Sequence, residues 1–216
     1  MGKQSLKEIE ADEIARGMKL CQLNATELFE DADILLAANK LPRAYTLYQL
    51  AIEEVGKIRI LGSLFYSLKT GLKVDYEKIN RNFRGHPIKT KESVGFERAT
   101  VMLMYANEDD ANQRRDLKKY FKNLTDEESE SKIDDYNNLK NSSLYVSIEN
   151  NIFVSPKEVI ESEMVNQIRA SALIRLKSSH NAIKIMTDES VILEAQKIHN
   201  DPNYQFNSNY LELFED

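Results

Sequence analysis

The chain has 216 residues, of which 42% are hydrophobic and 30% charged, and its formal net charge is −6. This charge argues against a protein coated in basic surface for non-specific nucleic-acid binding. With only 7 Gly and 4 Pro, the composition favours long helices over many short strands. We expect one helical domain over residues 1–216, with its core at 10–187 and an irregular tail at 201–216.

No uncharged apolar run of 18 residues occurs, so neither a transmembrane helix nor a membrane partner is expected. The N-terminal residues lack the apolar segment of a secretory signal, and the single cysteine, Cys21, fits a reducing cytoplasm. Phosphate-binding Gly-rich loops and Cys/His metal spacings are missing from the sequence. We therefore expect no cofactor and no metal site.

Two long helices are predicted first, near 10–39 and 42–70, from apolar residues that alternate in steps of three and four. Pro42 suits the first turn of the second helix. Because the connection is only about three residues long, the two helices should pack antiparallel as a hairpin.

Shorter elements follow. A helix is expected at 76–82 and another from Ser93 through Met104 toward Phe121, while the polar segment 126–138 reads as a solvated helix. Residues 143–154 favour a minor β-hairpin with a turn at 149–151. Ser155, Pro156 and Glu158 form a helix-start pattern, which predicts a long helix over 156–186. The fold class is therefore an all-α antiparallel bundle.

Charge is unevenly distributed along the chain. The segment 78–91 is rich in basic residues and the segment 126–135 in acidic residues. Either can be an ordinary solvated face. The basic segment is the one that we interpret as a footprint for a phosphate-bearing ligand.

The basic segment contains an Arg and a His with four residues between them, Arg81 and His86. In a straight helix these two side chains would be about 140° apart. Gly85 breaks the helix, and Pro87 favours an extended His86, so the chain could bend to bring the pair together. Arginine binds phosphate oxygens and histidine moves protons near neutral pH. An ordinary basic loop explains the same spacing.

The sequence resembles the AbiV (abortive infection) family over roughly residues 20–160. The resemblance rests on three segments in order: Asn24-Ala25 leading through Asp31-Ala32 to Arg43-Ala44-Tyr45 and Glu53-Glu54-x-Gly56-Lys57; then His86-x-x-Lys89; then Leu144-Tyr145-Val146 followed by Pro156. This family is assigned to the HEPN superfamily of helical domains, many of which are metal-independent ribonucleases with an Arg-x4–6-His motif.

The resemblance implies a dimeric phage-defence toxin that acts on RNA in response to a phage or host protein. It implies Arg81 and His86 as catalytic residues. Candidate substrate-binding or supporting residues are Asn82, Arg84, Lys89, Glu53, Glu54 and Lys57.

Simpler readings exist for several of these residues. Glu53 and Lys57, four apart on a helix, could form a surface ion pair. Gly56 within a helix is costly, which indicates close packing against a neighbouring backbone, and Tyr145 is expected in the core or an interface. A non-catalytic helical module that inhibits translation by binding a host or phage partner remains the alternative to a ribonuclease.

Overall fold

The computed structural model describes residues 5–127 and 129–201, apart from the side chains of residues 127, 130, 149 and 199. After a 3-10 turn at Leu6–Glu8, the helices are α1 (Ala11–Ala37), α2 (Leu41–Thr70), α3 (Tyr76–Arg84), α4 (His86–Ala106), α5 (Ala111–Glu127), α6 (Glu130–Leu144), α7 (Pro156–Val159), α8 (Ser162–Met186) and α9 (Glu189–Asn200). Strands β1 (Ser147–Glu149) and β2 (Ile152–Val154) lie between α6 and α7. The predicted all-α class is confirmed.

Helices α1 and α2 form the predicted antiparallel hairpin, and α2 is the central helix of the bundle. Helices α1, α4, α6 and α8 all pack against it. A helix that is covered on all sides is apolar around most of its circumference, and α2 buries residues on every face. Asn39 makes the tight α1–α2 connection in the left-handed region, with φ 54°.

Apolar packing is divided among three clusters. One joins α1, α2, α8 and α9 near Met18, Leu64 and Ile183, and a second joins the other end of the α1–α2 hairpin to α8 around Tyr48 and Val165. The third holds α5 against α4 and contains Val94, Val101, Tyr105, Phe121 and Leu124. The bundle thus leaves the face of α2 toward α4 and α6 for polar side chains.

The β-hairpin is confirmed, but it is shorter than expected. Residues 143 and 144 belong to α6, and β1 pairs with β2 only over Ser147–Glu149 and Ile152–Val154. Asn150 and Asn151 form the turn with φ of 50° and 64°, as a two-residue hairpin requires. Tyr145 is 65% exposed, so it does not lie in the core, and its expected place in an interface stays a prediction.

Two helix boundaries differ from the predicted ones. Helix α4 begins at His86 rather than near Ser93, and the predicted helix 156–186 is split into α7 and α8 by Ile160 and Glu161. The predicted capping box is present, since the backbone N–H of Ser155 donates to Glu158 Oε2 at 2.7 Å. Ile160, the residue after α7, has an extended backbone (φ −93°, ψ 112°), and its side chain is buried in the cluster that joins α1, α2 and α8. The predicted tail at 201–216 lies outside the described residues, except for Asp201.

Candidate active site

A polar seam runs along the face of α2 that meets α4 and α6. Thr46, Gln49 and Glu53 recur in steps of three and four, so they share this face, and all three are buried. Thr46 Oγ1 lies 2.6 Å from Ser143 Oγ on α6, and Gln49 Nε2 donates to Thr90 Oγ1 on α4 at 2.9 Å. These bonds satisfy polar groups that would be costly to bury alone, but the buried Oε1 of Gln49 has no hydrogen-bond partner among the described residues.

Glu53 is the centre of a charged cluster drawn from three helices. Its carboxylate is 2.8 Å from Lys140 Nζ on α6, 3.1 Å from Lys89 Nζ on α4 and 2.5 Å from His86 Nδ1 at the start of α4. We call Glu53, His86, Lys89 and Lys140 the Glu53 cluster. Both lysines are 6% exposed and Glu53 is 3% exposed. One carboxylate therefore faces two buried ammonium groups.

The charge of Glu53 is set by these neighbours. Burial by itself raises the pKa of Glu53, but the hydrogen bonds from Lys140 and His86, with the charges of Lys140 and Lys89, outweigh it and hold the pKa below the usual 4.5. Glu53 is thus ionised at neutral pH. An ionised carboxylate accepts hydrogen bonds and donates none.

The ionised carboxylate of Glu53 fixes both the orientation and the tautomer of His86. Because Glu53 only accepts, Nδ1 of His86 carries the proton and donates it to Oε2. The contact with Glu53 uses Nδ1, so the second ring nitrogen, Nε2, is available to exchange a proton with a ligand. The His86 side chain is 57% exposed. A buried carboxylate that holds an accessible imidazole in one orientation by a hydrogen bond is an arrangement suited to general acid–base chemistry.

Gly56 allows α4 to reach the cluster. A Cβ at this position would lie 1.8 Å from the backbone oxygen of Lys89, far inside van der Waals contact. The close backbone approach expected for Gly56 is confirmed. It brings Lys89 and the first turn of α4 against Glu53.

The structure shows no contact between the two residues of the predicted catalytic pair, Arg81 and His86. Gly85 has an extended backbone (φ −73°, ψ 123°) and separates α3 from α4, while His86 is the first residue of α4. An extended His86 is therefore wrong, because the break falls one residue earlier. Arg81 is exposed in the last turn of α3, and within residues 5–127 and 129–201 its side chain makes no hydrogen bond or ion pair, with His86 or otherwise.

Two other candidates near Arg81 are placed differently. Arg84 is exposed at the end of α3. Asn82 is half-buried and lines a separate cleft of about 260 Å³ that includes Ser63 of α2 and Glu92 of α4. The structure thus does not bring Asn82 to His86.

Glu54 and Lys57 lie apart from the Glu53 cluster. They form an ion pair with each other, and Lys57 Nζ stands 5.6 Å from the centre of the Phe83 ring of α3. The surface pair expected between Glu53 and Lys57 is therefore wrong. Glu54 also faces Cys21, whose pKa is raised to about 12 by burial and by the charge of Glu54, so this thiol stays protonated at neutral pH.

Sequence analysis did not identify Lys140. It lies 87 residues from Glu53 along the chain, in a segment that is mostly polar. One signal was available: Ile133, Tyr136, Lys140 and Ser143 follow helical spacing, which puts this lysine on the inward face of α6.

A second buried ion pair braces α4 against α8. Arg175 is fully buried, and its Nε donates to Glu97 Oε2 at 3.1 Å. Glu97 also accepts a hydrogen bond from the Tyr120 hydroxyl of α5. This network fixes α4, and hence His86, relative to α5 and α8.

Membrane-spanning helices and metal-binding clusters are both absent from the described residues. Across those residues, no helix combines the length and apolarity needed to cross a membrane, and no three or more His, Cys, Asp or Glu side chains are grouped so that they could hold a metal ion.

Comparison with known proteins gives one match. The AbiV family model of the HEPN class matches residues 13–175, a span that contains α2, α3, α4 and α6 and therefore the whole Glu53 cluster. No curated protein and no solved structure matches significantly. The matched span covers about three quarters of the chain. The protein therefore belongs to the AbiV family of HEPN domains, a family of abortive-infection phage-defence proteins.

Proposed function

We propose that this protein is an abortive-infection toxin that cleaves RNA by metal-independent proton transfer, with His86 as the catalytic residue. The observation that supports this most strongly is the hydrogen bond from His86 Nδ1 to the buried, ionised Glu53. It fixes the tautomer of an exposed imidazole, as the buried carboxylate does in a catalytic triad.

The reaction follows from this geometry. His86 Nε2 takes the proton of a ribose 2′-hydroxyl, and the 2′-oxygen then forms a bond to phosphorus. The bond from phosphorus to the 5′-oxygen breaks, and that oxygen takes up a proton from water or from His86 of a second copy. The products are a 2′,3′-cyclic phosphate and a 5′-hydroxyl.

Positive charge near His86 would stabilise the phosphate group of a bound RNA. Lys89 and Lys140 outnumber the single Glu53 carboxylate, and the N-terminal end of α4 carries the positive end of the helix dipole. Arg81, exposed on the preceding helix, is proposed to bind the phosphate and stabilise its growing charge. Asn82 and Arg84 remain candidate contacts for a longer RNA.

Assembly and triggering remain proposals from the family. HEPN domains of this kind usually act as homodimers with paired sites, and a second copy would supply both a second His86 and a second Arg81. A phage or host protein is the proposed trigger.

The test combines three outcomes. Purified protein should cleave RNA in EDTA, the products should end in a 2′,3′-cyclic phosphate, and both Arg81→Ala and His86→Ala should lose cleavage and toxicity in cells. Full toxicity in both folded variants would overturn the proposal.

A second candidate function is a non-catalytic module that binds a host or phage protein. It is favoured by the exposed apolar side chains at and beside the β-hairpin: Tyr145, Val146, Ile148, Ile152 and Phe153, each at least 63% exposed. Exposed apolar patches often mark protein interfaces. In this case Phe153→Asp should abolish toxicity and His86→Ala should leave it intact.

A further inference from the structure

Helix α5 carries a dense group of basic side chains that sequence analysis did not single out. We call the following four residues the α5 stripe: Arg115, Lys118, Lys119 and Lys122. At 100° per residue they fall within an arc of about 100°. The opposite side of α5 is apolar and packs against α4 through Phe121 and Leu124. The stripe therefore points away from the core.

Among the described residues, three of the four members of the α5 stripe lack a neutralising partner. Arg115, Lys119 and Lys122 are exposed and Lys118 is half-buried. Within the described ranges, the side chains of Arg115, Lys118 and Lys119 have no ion pair. Asp116 is the one acidic residue between positions 115 and 122. In a chain of net charge −6, such a concentration of positive charge is a local feature that a polyanion would recognise.

We propose that the α5 stripe binds the sugar–phosphate backbone of single-stranded RNA and holds it beside the active site. The inference rests on the proposed function for the identity of the ligand. From Arg115 to Lys122 the stripe extends about 10 Å along the helix. Lysine and arginine side chains on such a track neutralise successive phosphates without reading sequence.

Packing connects the stripe to the catalytic histidine. Helix α5 is held on α4 by contacts that include Val94, and α4 begins at His86. Val94 lies eight residues after His86, or about 12 Å along the helix axis. The bond from Tyr120 to the buried Glu97 further fixes α5 to α4. RNA bound along α5 would thus be held on a helix that packs directly on α4, the helix that presents His86.

The structure favours RNA over an anionic membrane. A helix that lies on a membrane inserts its apolar face between the lipids. In α5 that face, with Leu117, Phe121 and Leu124, is already packed on α4. The exposed stripe itself consists of lysine and arginine side chains, which offer charge to a polyanion but no apolar surface to a membrane.

The test is an equilibrium binding titration with a fluorescent single-stranded RNA about 20 nucleotides long. All its riboses carry 2′-O-methyl groups, so it cannot be cleaved through the 2′-hydroxyl. Binding by the wild type is compared with that of the triple variant Arg115→Ala, Lys118→Ala, Lys119→Ala over a salt series. Each lost phosphate contact lowers the slope of log affinity against log salt by roughly 0.7, so the slope should fall by about 2.

Two control variants test whether RNA binding depends on the position of the basic side chains or only on the total charge. The triple variant Lys19→Ala, Lys177→Ala, Lys184→Ala removes three exposed charges from α1 and α8 and should keep the wild-type slope. The variant Arg115→Lys, Lys118→Arg, Lys119→Arg should also keep it. Equal loss in the α5 and control alanine variants, or no RNA binding by the wild type, would overturn the inference. So would a loss of binding to phosphatidylglycerol vesicles with RNA binding unchanged. Persistent cleavage by His86→Ala would instead overturn only the proposed catalytic function.

Discussion

Glu53 holds three partners that would be left with a buried charge or an unbound donor if its carboxylate were removed. Replacing one member of a buried ion pair costs roughly 3–5 kcal/mol, mainly because the remaining charge is stranded. Here Lys89 and Lys140 would both be stranded. The Glu53 cluster is therefore a structural centre of the bundle as well as the proposed catalytic site.

Glu53→Gln should lower the free energy of unfolding by about 3–5 kcal/mol at neutral pH. The pKa of Glu53 lies below its usual 4.5 in the folded protein, so its stabilisation is present above that pH and is lost as the pH falls through the lower folded value. The difference between wild type and variant, measured by urea denaturation, should thus shrink below about pH 4.5. A difference that is constant from neutral to acid pH would contradict this.

Lys140→Met should raise the pKa of Glu53. The lysine supplies both a hydrogen bond and a charge that lower this pKa, whereas the burial that raises it remains. Carboxyl NMR should show Glu53 titrating at higher pH in the variant, and Lys140→Arg should restore a low pKa. If Glu53 titrates identically in the wild type and Lys140→Met, the contact of Lys140 with Glu53 is not formed in solution.

The residues of the site differ in how far the sequence could predict them. Glu53, His86 and Lys89 were candidates because the family resemblance covers their segments, although their mutual contact was not expected. Lys140 was missed because its partner is 87 residues away, and no local pattern encodes that distance. Asn82 and Lys57 were candidates from the same resemblance, but tertiary packing gives them other neighbours.

At the scale of the elements, the contact between α2 and α4 decides where His86 lies. Gly56 faces the backbone of Lys89 with no room for a side chain, and the same turn of α2 carries Glu53. This one backbone contact therefore fixes where α4 lies along the length of α2.

Gly56→Ala should destabilise the protein by about 3 kcal/mol or more, since a methyl group cannot be placed without separating the helices. Gly17→Ala is the matched control. Its Cβ would meet only Leu61 Cδ1 at 3.4 Å, so better helix propensity should leave stability unchanged or raise it by up to about 1 kcal/mol. Thermal denaturation compares the two; equal effects would contradict the close α2–α4 contact.

Long helices with a regular apolar spacing were predicted well, but the residues at which helices begin and end were not. The apolar spacing of α1 and α2 reaches across many turns, so it identifies them reliably. The predicted start of α4 lies about seven residues too late, because Pro87 was expected to favour an extended His86, whereas proline also suits the first turn of a helix. Residues 143 and 144 were expected in a strand, yet they form the end of α6, where Ser143 contacts the buried Thr46 of α2.

For the whole molecule, we predict a homodimer. Sedimentation equilibrium at about 50 µM, well above a micromolar dissociation constant, should give twice the mass of the 24.9 kDa chain. A monomer at this concentration would contradict a constitutive dimer and would remove a second His86 as the donor of the proton to the leaving oxygen.

The most direct test of the central claim is the single-turnover rate of RNA cleavage by His86→Ala against His180→Ala. Both histidines are exposed on helices, but only His86 contacts a buried carboxylate. General acid–base catalysis contributes on the order of 10²–10⁴ in rate, so His86→Ala should lose at least about 10² while His180→Ala keeps the wild-type rate. Wild-type cleavage by a folded His86→Ala protein would contradict the account.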